Sequence, residues 1–389
     1  MVMEAVLGAR EANLGRVLQI LHLEGPQPRA SLTERTGLNR STTASLIAEL
    51  VELGLVEESA PEPTNRVGRP SPVASVDPRV VAIAANTEVD AVTLAAVRLD
   101  QTVALRERIP VDGPLTPEQT ADLIAGRVRD WQDAALAGSR IVGIGMAVPG
   151  LVRVADGLVR QAPHLGWRDA PLRDLVACRT GLPAFVENDA SLGAVAEHLF
   201  GAARGIDHVV YLDSASGIGG GLVVHGMPVT GAAGYAGEFG QNRPGILDAA
   251  DQRAPGGVLE DEVNRDRVLA LLGLSGVDET MLAAAIASSA DPAVAIELSR
   301  QTRVLAAALA NAVNVLNPSI VVLGGFLATL EELAPDDLAA QVRAQCMPAS
   351  AEDLEIRPAL LGVDRQLVGA AEAAFRELLR APASAVPVV

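Results

Sequence analysis

The stretch SGIGGGLVVHG, residues 216–226, constrains this chain more than any other. It opens out of an apolar run at 208–212 and closes into another at 222–224. That order predicts strand, glycine turn, strand, and a backbone without Cβ atoms can bring its N–H groups close to a phosphate. A nucleotide-using enzyme is one way to complete such a fold. The front of the same chain points elsewhere.

Residues 13–25, NLGRVLQILHLEG, place Leu14, Val17, Leu18 and Leu21 at helical spacing and stop at Gly25. RASLTERTG (29–37) predicts a short helix ended by glycine. LNRSTTASLIAELVELG (38–54) predicts another, with Asn39 as its cap and Leu46, Leu50 and Leu53 on one face. Two helices joined by a short glycine-bearing turn form a helix-turn-helix, whose second helix offers its first residues to the major groove. Here those are Arg40, Ser41, Thr42 and Ser45. Leu55-Val56 and Val73–Val76 then predict two strands of a wing, with Arg66 and Arg69 on its Pro/Asn/Gly-rich tip. An arginine in that setting can enter a narrow minor groove. A small helical protein-interaction domain is the plainer alternative; the conjunction of helices, polar helix start and Arg-bearing wing favours double-stranded operator DNA as partner.

Charge narrows the mode of binding. The 389-residue chain carries a formal charge of −17, and all 31 of its basic side chains are arginine, so lysine-based catalysis is excluded. Residues 1–80 hold eight Arg against ten Asp and Glu. A DNA contact must therefore be local and geometric rather than a broad basic surface. The two cysteines argue against a disulfide framework. No secretory signal and no uninterrupted apolar span are legible, which predicts a cytoplasmic protein without membrane contact.

From Val80 onward, β-like runs (80–85, 91–97, 102–109, 141–147, 183–187, 208–212, 220–224, 319–323) alternate with helical stretches (117–136, 171–180, 189–200, 259–272, 279–287, 291–316, 336–345, 365–380). This texture implies α/β architecture in two similar lobes. Five motifs stand in order along it: GIGMAVPGLV (143–152), APHLGW (162–167), VENDAS (186–191), GAAGYAGEFGQNRP (231–244) and NVLNPSIVVLGG (314–325). As an ordered set they resemble the ROK family, which joins sugar kinases and sugar-responsive repressors on the actin/hexokinase-like fold. With a helix-turn-helix in front, the resemblance is to the repressor branch. It implies a winged helix-turn-helix over residues 1–76 and a ROK sugar-binding domain over 77–389. The lobes of that domain would be about 77–185 with the C-terminal helix, and about 186–364.

The resemblance puts Asp189 at the family's kinase-base position, Asn188 at a sugar hydrogen-bonder, and Glu238 and Glu260 at further sugar-contacting carboxylates. On residue type alone, Asn188 and Asp189 read equally as helix caps and the two glutamates as solvated loop acids. Three departures shape the function. The family's Asp-x-Gly-Gly-Thr phosphate turn is replaced by Ala85-Asn86-Thr87-Glu88, whose side chains and acid would obstruct and repel phosphate. The first Gly-Thr of the second phosphate loop is replaced by Ser214-Ala215-Ser216. Gln241 stands where the family usually has a sugar-contacting, zinc-binding His, and no cysteine follows it, so no metal site and no cofactor are expected. Together these imply a non-enzymatic regulator, probing for a sugar or sugar phosphate and working as a homodimer or homotetramer on half-sites. The alternatives are an active sugar kinase with a DNA-binding front end, and an architectural DNA binder with a vestigial pocket.

Overall fold

The apolar stripe of Leu14, Val17, Leu18 and Leu21 is buried on the first helix, α1 (Val2–Glu24). The computed structural model describes residues 2–60, 71–215, 217–246 and 248–385. It carries α1 back to Val2, well before the stripe begins, because the preceding residues are rich in Ala and Glu and lack proline. There follow β1 (Gln27–Pro28), α2 (Arg29–Thr36) and α3 (Arg40–Glu52). Gly37 closes α2 in the left-handed region at φ 69°, and Asn39 opens α3 by accepting the Thr42 N–H at 2.8 Å. Strand β2 (Val56–Ser59) pairs antiparallel with β3 (Val73–Val76), and β1 lies on the other edge of β3. The helix-turn-helix and both wing strands are thus where the sequence put them. The expected wing tip, with Arg66 and Arg69, lies outside the described residues.

The chain continues through β4 (Val80–Thr87), β5 (Ala91–Arg98), β6 (Val103–Pro110), α4 (Pro117–Asp133), β7 (Arg140–Val148) and the short β8 (Leu151–Arg153). Then come β9 (Leu158–Ala162), β10 (Trp167–Ala170), α5 (Leu172–Thr180), β11 (Ala184–Asn188), α6 (Asp189–Phe200), β12 (Val209–Ser214), β13 (Ile218–Val224) and β14 (Met227–Pro228). The last third holds α7 (Leu259–Glu262), α8 (Arg265–Leu272), α9 (Glu279–Ser288), α10 (Pro292–Leu316), β15 (Ile320–Gly325), α11 (Phe326–Leu333), α12 (Pro335–Gln345), β16 (Glu355–Pro358), α13 (Arg365–Arg380) and α14 (Pro382–Ala385). Among the described residues no helix is long and apolar enough to cross a membrane.

Two compact units result. The first takes the described residues of Met1–Val148, Gly157–Glu187 and Ala370–Val389; the second takes Pro149–Asp156 and those of Asn188–Gly369. Their sheets share one plan. In the first, ordered β11-β7-β4-β5-β6, strand β4 has an antiparallel hairpin partner on one side and parallel β7 on the other. In the second, ordered β14-β13-β12-β15-β16, strand β12 sits between antiparallel β13 and parallel β15. The second core packs Leu305, Leu309 and Val313 of α10 against Val210 and Leu212 of β12 and Val321 and Leu323 of β15.

Three local readings change. The helix expected over 259–272 is two, because Asn264 leaves the helix and caps α8 through the Asp266 N–H at 2.9 Å. Helix α11 (Phe326–Leu333), a helix the sequence reading does not assign, starts directly after Gly325. Strand β16 is four residues of alternating charge and apolar character, too short to stand out.

Candidate functional site

The glycine cluster is shaped by packing. In β13, Gly219 and Gly221 face α6, and a Cβ on either would come within 3.0 Å of Ala190 or Ala194. Gly220 points to the opposite face, where a Cβ would meet Phe239 and the Gly237 carbonyl at similar range. The two-residue period of a strand thus places one glycine under each neighbour. This close approach brings the start of α6 and the 237–241 segment onto one hairpin. Ser216, in the departure from Gly-Thr-Gly, lies outside the described residues.

That hairpin gathers carboxylates. Asp189 is the first residue of α6, and its Oδ1 accepts the Ala190 N–H at 2.8 Å. Burial, reinforced by the charges of Asp213 and Glu238, lifts its carboxyl to about 6, against the opposing Ala190 N–H and Arg365. Glu238 is half-buried and also raised, first by burial and then by the charge of Glu260. Gln241 Nε2 donates to Glu260 Oε1 at 2.6 Å, and the Ile218 N–H donates to Glu260 Oε2 at 3.3 Å. Asn188 is bound differently. Its Oδ1 caps α6 through the Ser191 N–H at 2.8 Å, while Nδ2 donates to the Gly150 carbonyl at 3.1 Å. The cap reading of Asn188 therefore describes its geometry. Asp189, Glu238, Gln241 and Glu260 make an acceptor-rich group suited to several hydroxyls of one ligand. Among the described residues no set of three or more His, Cys, Asp or Glu side chains is arranged to hold a metal ion.

Sequence reasoning missed the group next to Asp189. Asp213, buried at the end of β12, takes a two-pronged contact from Arg365 Nε and Nη2 at 3.0 and 2.7 Å, and Gln366 Nε2 donates to it at 2.7 Å. The partners are 152 positions apart, so no local pattern could pair them. In the first unit, the turn after β4 is filled by its own side chains. Asn86 Nδ2 donates to Glu88 Oε1 at 3.2 Å, and Arg108 pairs with Glu88 at 3.4 Å and Asp90 at 2.8 Å. Burial raises the Glu88 carboxyl above its ordinary range, outweighing Arg108.

At the front end, Arg40, Ser41 and Ser45 are exposed on α3 and Thr42 is half-buried. Ser41 Oγ donates to the Asn39 cap at 2.7 Å. Arg10, which sequence reasoning also missed, reaches from α1 to Ser45 Oγ at 3.3 Å and pairs with Glu49. The signal was distance again: 35 positions separate Arg10 from Ser45.

Comparison with known proteins finds two family matches along the chain. The IclR helix-turn-helix domain matches residues 13–60, and the ROK family matches residues 83–377. A xylose repressor of Caldicellulosiruptor bescii is 26% identical over 91% of this chain and 93% of its own length. A glucokinase of Halalkalibacterium halodurans is 30% identical over 66% of this chain and 84% of its own. In fold, the chain superposes on a ROK family transcriptional regulator, a homologue of E. coli MLC, with a TM-score of 0.79 at 23% identity, covering 97% of this chain and 99% of that one. It superposes on a ROK glucokinase from Streptomyces griseus, solved with glucose and AMPPNP, with a TM-score of 0.62 at 25% identity, covering 76% and 99%. With the family matched across most of its length behind a helix-turn-helix, this chain belongs to the ROK family.

Proposed function

We propose that the chain is a sugar-responsive repressor: residues 1–76 read operator DNA, and the body over 77–389 binds a monosaccharide without phosphorylating it. The observation that carries this reading is the carboxylate group of Asp189, Glu238 and Glu260 gathered beside the glycine hairpin, in a chain whose third helix, α3, is a capped candidate recognition helix. Carboxylates accept sugar hydroxyls in charge-assisted bonds. The likeness to xylose repressors makes D-xylose and D-glucose the first sugars to try. Sugar binding would favour one arrangement of the body and so alter how two reading heads of a homo-oligomer match half-sites. The test is an electrophoretic shift on the chain's own upstream DNA. Asp189→Ala loses about 1.5–3 kcal/mol of charge-assisted bonding, so it holds DNA at sugar concentrations that release the wild type. Release of the variant at the wild-type concentration refutes the assignment of this site.

The glucokinase relatives favour a second reading, an active kinase. Against it stand Asn86 and Glu88, which fill the turn after β4 with an acid where a phosphate would need bare N–H groups. Purified protein with sugar and ATP should form no sugar phosphate above a no-enzyme control. Turnover at on the order of 1–100 per second would establish the kinase.

A further inference from the structure

Glu260 stands on α7, a helix of four residues. One turn of helix does not hold its own direction, because nucleation fixes several dihedrals for a single hydrogen bond. The clamp lies two residues on. Glu262 is fully buried, and its carboxylate accepts the Arg253 N–H at 2.9 Å, the Ala254 N–H at 2.8 Å and Arg300 Nη1 at 3.1 Å. Arg300, on α10, is 1% exposed and uses all five of its donors. Nε and Nη2 fork onto Glu297 at 2.9 and 2.7 Å; Nη1 also reaches the Asp251 carbonyl at 2.8 Å, and Nη2 the Glu262 carbonyl at 2.6 Å. Gln301, one residue along α10, exchanges hydrogen bonds with the Asn264 backbone at 3.0 and 3.1 Å.

Stability alone does not explain this arrangement. A buried ion pair gives up so much hydration that well-packed apolar residues of the same volume often match or exceed it. What the pair adds is direction: three of the five N–H vectors hold the 251–264 segment on α10, at Asp251 and at Glu262, while the two to Glu297 orient the guanidinium itself. We propose that Arg300 is a positioning residue for the hydroxyl-binding group, acting through Glu262 and the α7 backbone to hold Glu260 against Gln241 and the Ile218 N–H. This rests on the sugar-binding reading above.

The experiment is a double-mutant cycle read by calorimetric titration with D-xylose and with D-glucose. Arg300→Lys keeps the charge but has three donors in place of five, and Glu260→Gln removes the group it is held to serve. Each alone should weaken sugar binding about tenfold, and the double variant should be no weaker than Glu260→Gln within about twofold. Glu297→Gln, a gentler change that leaves one acceptor, repeats the cycle should Arg300→Lys not fold. Amide exchange at Arg253 and Ala254 should speed up in both clamp variants. Losses that multiply in the cycle, or slow exchange unchanged at those amides, overturn the proposal while leaving the sugar reading intact. A wild type that binds neither sugar overturns both.

Discussion

Replacing Asp189 by Asn should make the ligand-free protein more stable. The carboxyl is held at about 6 because burial and the charges of Asp213 and Glu238 oppose its ionisation. From an ordinary 3.8, that corresponds to about 3 kcal/mol of folded-state penalty, at about 1.4 kcal/mol per tenfold. Since the side chain is only half-buried, solvent screening reduces this to about 1–2 kcal/mol. Asn keeps the shape and can still accept the Ala190 N–H, so the gain should appear as a melting temperature about one to a few degrees higher near pH 7.5. The pH dependence carries the sign. A carboxyl whose folded value is raised binds its proton more readily in the native state, so wild-type stability recovers as pH falls. The gap between variant and wild type should therefore be full above about pH 6 and close below about pH 4, where both side chains are neutral. Differential scanning calorimetry at several pH values measures it. A variant that melts below the wild type at pH 7.5, or a gap independent of pH, refutes the claim that the neighbouring acids strain Asp189.

Two further predictions concern the first unit. Arg40→Ala should weaken specific DNA binding by about 1–3 kcal/mol in a fluorescence-anisotropy titration, with α3 helicity unchanged, since Asn39 and not Arg40 caps the helix. His22 is buried, with Nδ1 at 2.6 Å from the Leu99 carbonyl and Nε2 at 3.0 Å from Glu372. Burial opposes its charge, but Glu372 and the Leu99 carbonyl together hold its pKa above 6.5. A raised histidine contributes stability that is full below about pH 6.5 and fades as pH climbs through the folded value, so His22→Gln should cost most in mildly acidic buffer and least in alkaline buffer when urea midpoints are compared.

What could be read from sequence was whatever local spacing dictates. The Leu14–Leu21 stripe, the Asn39 cap and the paired wing strands all arise within a few residues of one another, where helix and strand periods act directly. The alternation of β13 glycines was visible, but its cause was not, because the crowding atoms belong to Ala190, Ala194 and Phe239. The same holds in the carboxylate group. Asp189, Glu238 and Glu260 carry recognisable motifs, whereas Asp213 with Arg365, and Glu262 with Arg300, join segments 152 and 38 positions apart. Ion pairs of that span leave no periodic trace, so only the folded chain reveals which acids are paired and which are not.

Pairing of charge within the head also limits how so acidic a chain can meet DNA. Arg10, Arg29 and Arg35 are paired with Glu49, Glu58 and Glu24, and Arg79 with Asp77 at 2.6 Å. Arg16 is spent on the Thr36 and Arg35 carbonyls at 3.0 and 3.1 Å, which fixes α1 against the end of α2. Arg40 is exposed on α3 and has no ion-pair partner among the described residues. Among the described residues, most arginines of this head are therefore engaged within it. The described residues would neutralise few phosphates, and their counterion-release contribution to affinity would be correspondingly small. On the repressor reading proposed above, binding at physiological salt would draw on geometry as well as charge, with the residues at the start of α3 set in one groove and a second head at a fixed spacing. On that reading a head depends on spacing more than on charge, and spacing is what a ligand-bound body would change.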